Sequence, residues 1–379
     1  MSSTENLGNL KMFSMTQRSI GSATGGSLLS KAAVADTKKE TPLIKLMKVD
    51  ECEAGEKQAS GEDDVNETQK AADSTAAQKQ PFDEGQSVAE VFKQRLTQFK
   101  RTLSKGMTFA DQLEMRNPQM VTEMAQNIYE NMRRDEATLK IDANYLSKVQ
   151  IPSEVKDTSR AFLIEWIIDV HRKFRLLPET LYVTVFIIDR FLSLKQIKKS
   201  QLHILGVTAL LISTKYEEIY PPELKDLLSV SENKFIKKDV LDMELEILQT
   251  LQFDLTSPSA YRFLERFRRL SSLAGSDEKI FFFAQYLQEI ALLDASLLKY
   301  NPSELAAASL ILAAKSIKKV SVWNREMEKV TNYKDEHLQT VVEDVKSFVL
   351  EVNPKFLTTL KYKFSKQEYK EVASLPLKF

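Results

Sequence analysis

From Asn117 onward, apolar residues recur at spacings of three and four, which is the period of an amphipathic helix. Prolines separate the apolar stretches, and Ser257-Pro258 and Asn301-Pro302 each pair a capping residue with a first-turn proline. The pattern predicts an all-α protein with helices at 118–134, 157–175, 178–194, 199–215, 222–229, 235–250, 258–270, 277–293, 302–318, 323–331 and 336–350.

The segment before this helical part has a different composition. Eight of the ten glycines lie at or before Gly106, and Phe13 is the only aromatic residue before about residue 80. A stretch rich in Ser, Thr, Ala, Lys and Glu buries too little apolar surface to offset chain entropy. We therefore predict a disordered regulatory tail at 1–115, within which 87–103 has the spacing of one short amphipathic helix.

Two of the predicted helices are apolar on every side and resemble each other. LHILGVTALLISTK in 199–215 and SELAAASLILAAK in 302–318 align when Lys215 is set on Lys315. A helix buried on all sides is the expected centre of a bundle, and small residues in it let neighbouring helices approach closely. One continuous helical domain with a chance similarity is the alternative.

The repeat predicts two tandem five-helix domains. We divide the chain into the tail, an N-terminal helix and linker, a first domain, a second domain and a C-terminal extension, at 1–115, 116–156, 157–256, 257–352 and 353–379.

Composition excludes several classes of protein. Fifty-three basic and 53 acidic residues give a formal net charge of zero, which argues against nucleic acid or an anionic membrane as the main partner. Cys52 is the single cysteine, so an intrachain disulfide and a four-cysteine zinc ribbon are impossible. The N-terminus lacks the apolar core of a signal peptide, and no apolar run is long enough to span a membrane.

No motif of an enzyme is visible, and we expect neither a cofactor nor a metal site. The chain contains no GxxxxGK, GxGxxG, GxSxG or HExxH, and its three histidines are far apart in sequence. Charged residues inside apolar helices, notably Asp189, Lys215 and Glu244, are the better clue. They form either internal ion pairs or a charged pair at the rim of an interface with a partner.

Three strings resemble the cyclin box of mitotic A- and B-type cyclins. They are SRAFLIEWIIDVHRKFRLLPETLYVTVFIIDRFLS, LLISTKYEEIYPPEL and KKDVLDMELEILQTLQFDLTSPS, in the order and at the spacing of that family, and the resemblance covers roughly 120–352. It implies two cyclin-box folds in a regulatory subunit that binds and activates a cyclin-dependent serine/threonine kinase, controls cell-cycle progression at G2/M, and has no catalytic residue of its own.

The resemblance also assigns residues to a kinase interface. Lys215 and Glu244 match the family's Lys and Glu that anchor the kinase's mobile helix and activation segment. The apolar contacts of the same interface match Tyr216, Leu248, Leu255 and, in the N-terminal helix, Ile128. Asn131 stands where the family has a tyrosine.

A second implied site is a shallow groove that docks Arg-x-Leu peptides of substrates and inhibitors. Its residues match Phe162, Leu163, Trp166, Asp169, His203 and Glu232, the last as an acid able to hold the peptide's arginine. The chain departs from the family at Ser159, where a Met is usual, and at His203, where a Gln is usual. Arg160 and Asp189 match a pair that is internal and structural.

Other expectations are less specific. The tail has neither an Arg-x-x-Leu nor a Lys-Glu-Asn destruction motif, so turnover by ubiquitin ligase machinery through an atypical signal is a hypothesis. The resemblance implies residence in nucleus and cytoplasm, but no residue pattern names the compartment, the kinase or the substrates. A transcriptional cyclin, or another cyclin-box transcription factor, is the alternative; the latter should show a zinc ribbon and a basic face.

Overall fold

The structure is a computed structural model that describes residues 107–151, 154–271, 277–318 and 321–377, and all elements in these ranges are helical. The helices are Phe109–Glu114 (α1), Ala125–Thr138 (α2), Tyr145–Lys148 (α3), Asp157–Phe174 (α4), Pro178–Leu194 (α5), Leu202–Glu217 (α6), Leu224–Val230 (α7), Lys237–Thr250 (α8), Ala260–Leu270 (α9), Glu278–Ala291 (α10), Pro302–Lys318 (α11), Arg325–Thr331 (α12), Asp335–Glu351 (α13) and Thr358–Phe364 (α14).

The described chain begins with a helix where we predicted disorder. Thr108 caps α1 by accepting a hydrogen bond from the backbone N–H of Asp111. The buried carboxylate of Asp111 pairs with Arg266 of α9, with 2.8 Å between Nη2 and Oδ2. This pair joins residues 155 positions apart, so local composition could not reveal it. The rest of the predicted tail, including 87–103, lies outside the described residues.

The predicted helix 118–134 is interrupted. Asn117 caps a short 3-10 turn at Pro118–Met120, and Val121 then adopts a left-handed conformation with φ of 44°. This left-handed conformation of Val121 is incompatible with a right-handed helix, so the turn ends there. The chain becomes helical again at Ala125, where α2 begins. The predicted helix start at Ser257-Pro258 is also displaced, because Ser259 provides the cap of α9.

In the first domain, α6 is the central helix. Its residues from 204 to 214 are all buried, and it packs against α4, α5, α7 and α8. Gly206 is required by the close approach of α4, since a Cβ there would lie 2.6 Å from Leu163 Cδ1. The small residue therefore sets the distance between the two helices, as the sequence predicts.

In the second domain, α11 has the same position. Its residues from 306 to 314 are buried, and it packs against α9, α10 and α13. The prediction of an all-α protein with two tandem helical domains, each around an apolar central helix, is confirmed.

The chain after α13 folds back over both domains. It forms 3-10 turns at Pro354–Leu357, Gln367–Tyr369 and Val372–Ser374 around α14, which packs against α4 and α10. Lys363 forms a buried ion pair with Glu289, with 2.6 and 2.7 Å from Nζ to the two carboxylate oxygens. Helix α14 was not predicted, because its anchor lies 74 residues away.

Arg160 joins the two domains. Its Nε and Nη2 donate to the two carboxylate oxygens of Asp189 at 2.7 Å each, and its Nη1 donates to the carbonyl oxygen of Leu292 in the second domain at 2.9 Å. Tyr145 donates to the same carboxylate at 2.7 Å. Both charged side chains are only 1% exposed. Burial alone would lower the pKa of Arg160, but the adjacent Asp189 carboxylate raises it, so the guanidinium stays protonated.

Candidate functional site

Helix α8 carries two apolar stripes. Val240, Met243 and Ile247 are buried against the core. Leu241, Leu245 and Leu248 lie about 130° further round the helix, where Leu245 is 53% exposed and Leu248 is partly buried. A surface helix needs one apolar stripe to pack, so the second stripe is available to a partner.

A charged pair lies beside this second stripe. Lys215, in the last turn of α6, donates from Nζ to Glu244 Oε1 at 2.5 Å. The lysine side chain is 49% exposed, and the glutamate side chain is 14% exposed. The two residues therefore contact each other, but the pair remains accessible from outside. An ammonium group with free donor positions can bind a partner's backbone carbonyls.

The surface continues around the end of α8. Tyr216 is half exposed, and its hydroxyl lies 2.8 Å from Thr256 Oγ1. Leu255 is partly buried against the core, whereas Phe253 is exposed. We call the set Lys215, Tyr216, Leu241, Glu244, Leu245, Leu248, Phe253 and Leu255 the α8 face. Sequence reasoning did not assign Leu241, Leu245 and Phe253 to it, although a second stripe at spacings of four and three was a readable signal for the first two.

Ile128 belongs to a different part of the molecule. It is exposed on α2, which packs on the second domain through Tyr129 against Phe263, with ring centroids 5.9 Å apart. Asn131 accepts a hydrogen bond from Arg134 on the same helix. Ile128 is thus carried by an element anchored to the second domain, while Lys215 and Glu244 are in the first.

A second surface lies along α4. Phe162 is exposed, Trp166 is half-buried, and Leu163 is buried against α6. Trp166 stands perpendicular to the ring of His203 on α6, with 4.6 Å between centroids. His203 in turn lies 5.4 Å from the ring of Phe235. The structure brings these aromatic groups into one cluster on the side of α4 that faces α6.

The predicted acids of this surface already have basic partners. Asp169 pairs with Lys173 at 2.8 Å and with Arg172 at 2.7 Å. Burial alone would raise the pKa of Asp169, but these hydrogen bonds more than offset it, and the pKa is lowered. Glu232 pairs with Lys234 at 3.1 Å. The arginine of an incoming peptide would therefore have to displace these basic side chains from the two carboxylates.

Two polar groups of the same surface are incompletely satisfied. Burial lowers the pKa of His203, and nearby Lys234 lowers it further, so the ring is neutral at pH 7. Its buried Nε2 has no hydrogen-bond partner within the described residues. Glu165 accepts from Thr359 Oγ1 at 2.5 Å and has no basic partner in the described part of the chain, and burial raises the pKa of its carboxyl.

The arrangement is suited to binding rather than to chemistry on a small molecule. In the part of the chain that the structure describes, no group of His, Cys, Asp and Glu side chains could hold a metal ion. The described helices also include none with the length and apolar character needed to cross a bilayer. What the two surfaces offer is exposed apolar side chains next to charged groups.

Comparison with known proteins identifies the family. The model of the cyclin N-terminal domain matches residues 127–256, and that of the cyclin C-terminal domain matches residues 258–378. The chain belongs to the cyclin family. Members of this family are regulatory, non-catalytic subunits.

Among individual relatives, a G2/mitotic-specific cyclin-B of Marthasterias glacialis is 34% identical over 74% of this chain and 70% of its own length. Cyclin-A3-4 of Arabidopsis thaliana is 36% identical over 73% of this chain and 78% of its own. A crystal structure of a viral cyclin from herpesvirus saimiri shares the fold, with a TM-score of 0.52 and 21% identity over 59% of this cyclin and 97% of that chain. The resemblance to mitotic A- and B-type cyclins seen in the sequence is confirmed.

Proposed function

We propose that this cyclin is the activating subunit of a cyclin-dependent serine/threonine kinase and that it clasps the kinase's mobile helix and activation segment with the α8 face. The observation that carries the proposal is the exposed Lys215–Glu244 pair beside the outward apolar stripe of α8. The cyclin fold and relatives named as G2/mitotic-specific cyclins support a kinase partner and a role at G2/M.

The mechanism follows from the needs of phosphoryl transfer. A protein kinase requires an ion pair between a strand lysine and a glutamate of its mobile helix, with the activation segment out of the way. A subunit that binds only this arrangement shifts the kinase population towards it without supplying a catalytic atom. A shift from 1:99 to 99:1 needs about 5.5 kcal/mol of differential binding. Burial of the leucines and of Tyr216 supplies affinity, and Lys215 with Glu244 fixes the register through charge-assisted hydrogen bonds.

The test is kinase activation by a double variant. Lys215→Ala with Glu244→Ala should abolish activation of a purified cyclin-dependent kinase while the far-ultraviolet circular dichroism is unchanged. Lys299→Ala with Asp344→Ala is the matched control, because this exposed pair, 2.6 Å apart, lies on the second domain. Normal activation by the Lys215/Glu244 variant would refute the interface.

A transcriptional cyclin remains the second candidate. Its kinase face would be the same, but its kinase would phosphorylate RNA polymerase. The resemblance of AQNIYENMRRDE and FDLTSPS to the mitotic group and the identity of the relatives favour the mitotic function. Mass spectrometry of the kinase that co-purifies from cells, followed by assays on histone and on polymerase repeats, separates the two.

We further propose that the α4 surface docks Arg-x-Leu peptides. The leucine would pack against Phe162 and Trp166, and the arginine would take the Asp169 end of the helix, with Glu232 nearby in the family's arrangement. A fluorescence titration with an Arg-x-Leu peptide should show weaker binding after Trp166→Ala. Equal affinity in both proteins would end the proposal.

A further inference from the structure

The polar and apolar positions of the α4 surface form one stripe that does not stop at Phe162. Asp169, Glu165, Phe162 and Thr158 follow one another at spacings of four and three, which places them on one face of the helix. Thr158 and Asp157 are exposed in the first turn of α4. The surface proposed to hold the peptide's arginine and leucine therefore continues towards the N-terminal end of the helix.

The C-terminal segment lies along one side of this stripe. The rings of Phe356 and Phe162 meet edge to face, with 4.7 Å between centroids. Further along, Thr359 donates to Glu165, and the guanidinium of Arg172 lies 4.8 Å from the ring centre of Tyr362. Through these three contacts, residues 354–364 form one side of the groove along α4. Helix α6, with His203, forms the other side.

Beyond Phe356 the stripe opens into a cleft between the two domains. The cleft has a volume of about 320 Å³ and is lined by residues of α4, of the end of α13 and of the turn after α10. Its apolar floor consists of Ala161, Leu293, Phe348, Val352 and Phe356. Phe356 is common to the cleft and to the side of the groove beside Phe162, so the two are continuous.

The rim of the cleft is acidic. Asp157, Asp294 and Glu351 line it, and none of them has a basic partner within the described ranges. Asp294 accepts from the backbone N–H and the hydroxyl of Ser296, and Glu351 accepts from Ser347, so both are bonded only to neutral donors. Lys156 and Lys355 adjoin lining residues in sequence, but the cleft is not lined by either. An apolar floor with uncompensated carboxylates suits a cation on an aliphatic stem.

The distances fix where such a cation would occur in a docked peptide. Along the axis of α4, Asp157 lies twelve residues and about 18 Å from Asp169 at 1.5 Å per residue, and it is next to Thr158 but about 120° round the helix from Asp169. An extended peptide advances about 3.3 Å per residue, so about five or six residues cover this distance along the helix axis. With the arginine at the Asp169 end and the leucine two residues later, the cleft is reached three or four residues after the leucine.

We propose that the docking groove continues past Phe162, along the C-terminal segment and into the interdomain cleft, and that it takes peptides with a second basic residue three or four positions after the leucine of Arg-x-Leu. This inference rests on the proposed peptide groove and narrows its ligand to a class with two separated cations. In this arrangement Phe356 lines one side of the peptide groove, and the carboxylates of Asp157 and Glu351 bind the second basic side chain.

The test compares two fluorescein-labelled peptides on the full chain. One contains Arg-Ala-Leu-Ser-Ala-Ala-Lys and the other Arg-Ala-Leu-Ser-Ala-Ala-Ala, in otherwise identical flanks. We expect the lysine peptide to bind about twofold to fivefold tighter, as for a solvent-exposed charge pair, and the ratio to shrink when salt is raised.

Asp157→Asn with Glu351→Gln should bring the ratio most of the way to one, since Asp294 alone of the three rim carboxylates is left, and should leave the affinity for the alanine peptide unchanged. Glu328→Gln with Glu336→Gln is the matched control, since it removes the same charge and Glu336 lies in the first turn of α13, about 22 Å from Glu351 along that helix. The control should keep the full ratio.

The outcomes separate this inference from the proposal beneath it. If both peptides bind the unaltered chain equally, or if the ratio survives in the Asp157/Glu351 variant, the extension into the cleft is wrong and the Arg-x-Leu groove stands. If neither peptide binds, the groove itself is wrong and the extension falls with it. Kinase activation is measured separately and does not depend on either result.

Discussion

Two ion pairs in the first domain use similar residues in opposite ways. Arg160–Asp189 is bidentate, buried, and supplemented by Tyr145 and a carbonyl of the second domain. Lys215–Glu244 has one hydrogen bond, and its lysine is half exposed. In the sequence both pairs are charges inside apolar helices. The two pairs differ in the number of hydrogen-bond partners around each charge. Lys215–Glu244 has donors that are not used within the pair, so it is the pair that can bind a partner protein.

The planar guanidinium explains part of this difference. Arg160 has five donors in a fixed fork, so it can satisfy a carboxylate and a carbonyl at once in a dry environment. Lys215 is a compact cation on a flexible stem that stays hydrated at the surface. Arginine therefore suits a buried contact that persists in the folded protein, such as that of Arg160. Lysine suits an exposed contact that forms and dissociates with a partner, as proposed for Lys215.

The largest expected effect is at the buried pair. Asp189→Asn keeps the shape but leaves the guanidinium uncompensated, which should lower the free energy of unfolding by about 3–5 kcal/mol. The melting temperature should fall by about 6–20 °C. Denaturant unfolding at neutral pH measures the change.

Replacing both partners provides the control. Arg160→Met with Asp189→Leu removes both charges and should cost less than Asp189→Asn alone, because no unpaired charge stays buried. A loss below about 1 kcal/mol for Asp189→Asn would erase the contrast between the two pairs.

A buried histidine gives the next largest effect and depends on pH. His171 donates from Nε2 to the carbonyl of Leu177 at 2.8 Å, and burial, with a smaller contribution from Lys363, lowers its pKa to about 3. The folded state therefore favours neutral imidazole, and the stability this gives is present above the unfolded pKa near 6.5 and lost as pH falls below it. We expect about 2 kcal/mol of this loss between pH 7.5 and pH 5.

His171→Gln should remove that part of the acid sensitivity. Unfolding of both proteins at pH 7.5, 6 and 5 gives the two slopes, and the value at pH 7.5 is the reference for each. Parallel slopes would mean that the pKa of the imidazole is the same in the folded and unfolded states, so that its burial does not oppose protonation.

The smallest effect on stability is at the exposed pair. Lys215→Ala should change the free energy of unfolding by less than about 1 kcal/mol, because solvent screens a half-exposed pair. The same variant should lose kinase activation although its stability is almost unchanged. At Arg160–Asp189, by contrast, a loss of stability and a loss of activity are expected together. A melting temperature lowered as far as in Asp189→Asn would show that Lys215 is structural.

Much of the fold was predictable because it is local. The central helices are continuous apolar runs, and their likeness at Lys215 and Lys315 predicts two domains without any knowledge of contacts. Helices α1 and α14 were missed because their anchors, Asp111–Arg266 and Lys363–Glu289, join residues distant in sequence. The interruption at Val121 depends on one backbone angle that an apolar pattern does not encode.

The candidate sites were predictable to a similar degree. The second stripe of α8 could be read from spacing, and the resemblance to cyclins singled out Lys215 and Glu244. That Asp169 and Glu232 already hold lysines, or that Phe356 lies against Phe162, could not be read, because these facts depend on side-chain positions set by several elements together. Those residue assignments to a kinase and to a peptide remain predictions.

The hydrogen bond from Arg160 to Leu292 has a practical consequence for dissecting the molecule. A first domain cut free after Thr256 would expose one side of that guanidinium to water and leave a carbonyl of its former neighbour without a donor. Each fragment would therefore lack one partner of this interdomain hydrogen bond. The properties of truncated proteins would then reflect a damaged domain interface rather than the separate roles of the two domains.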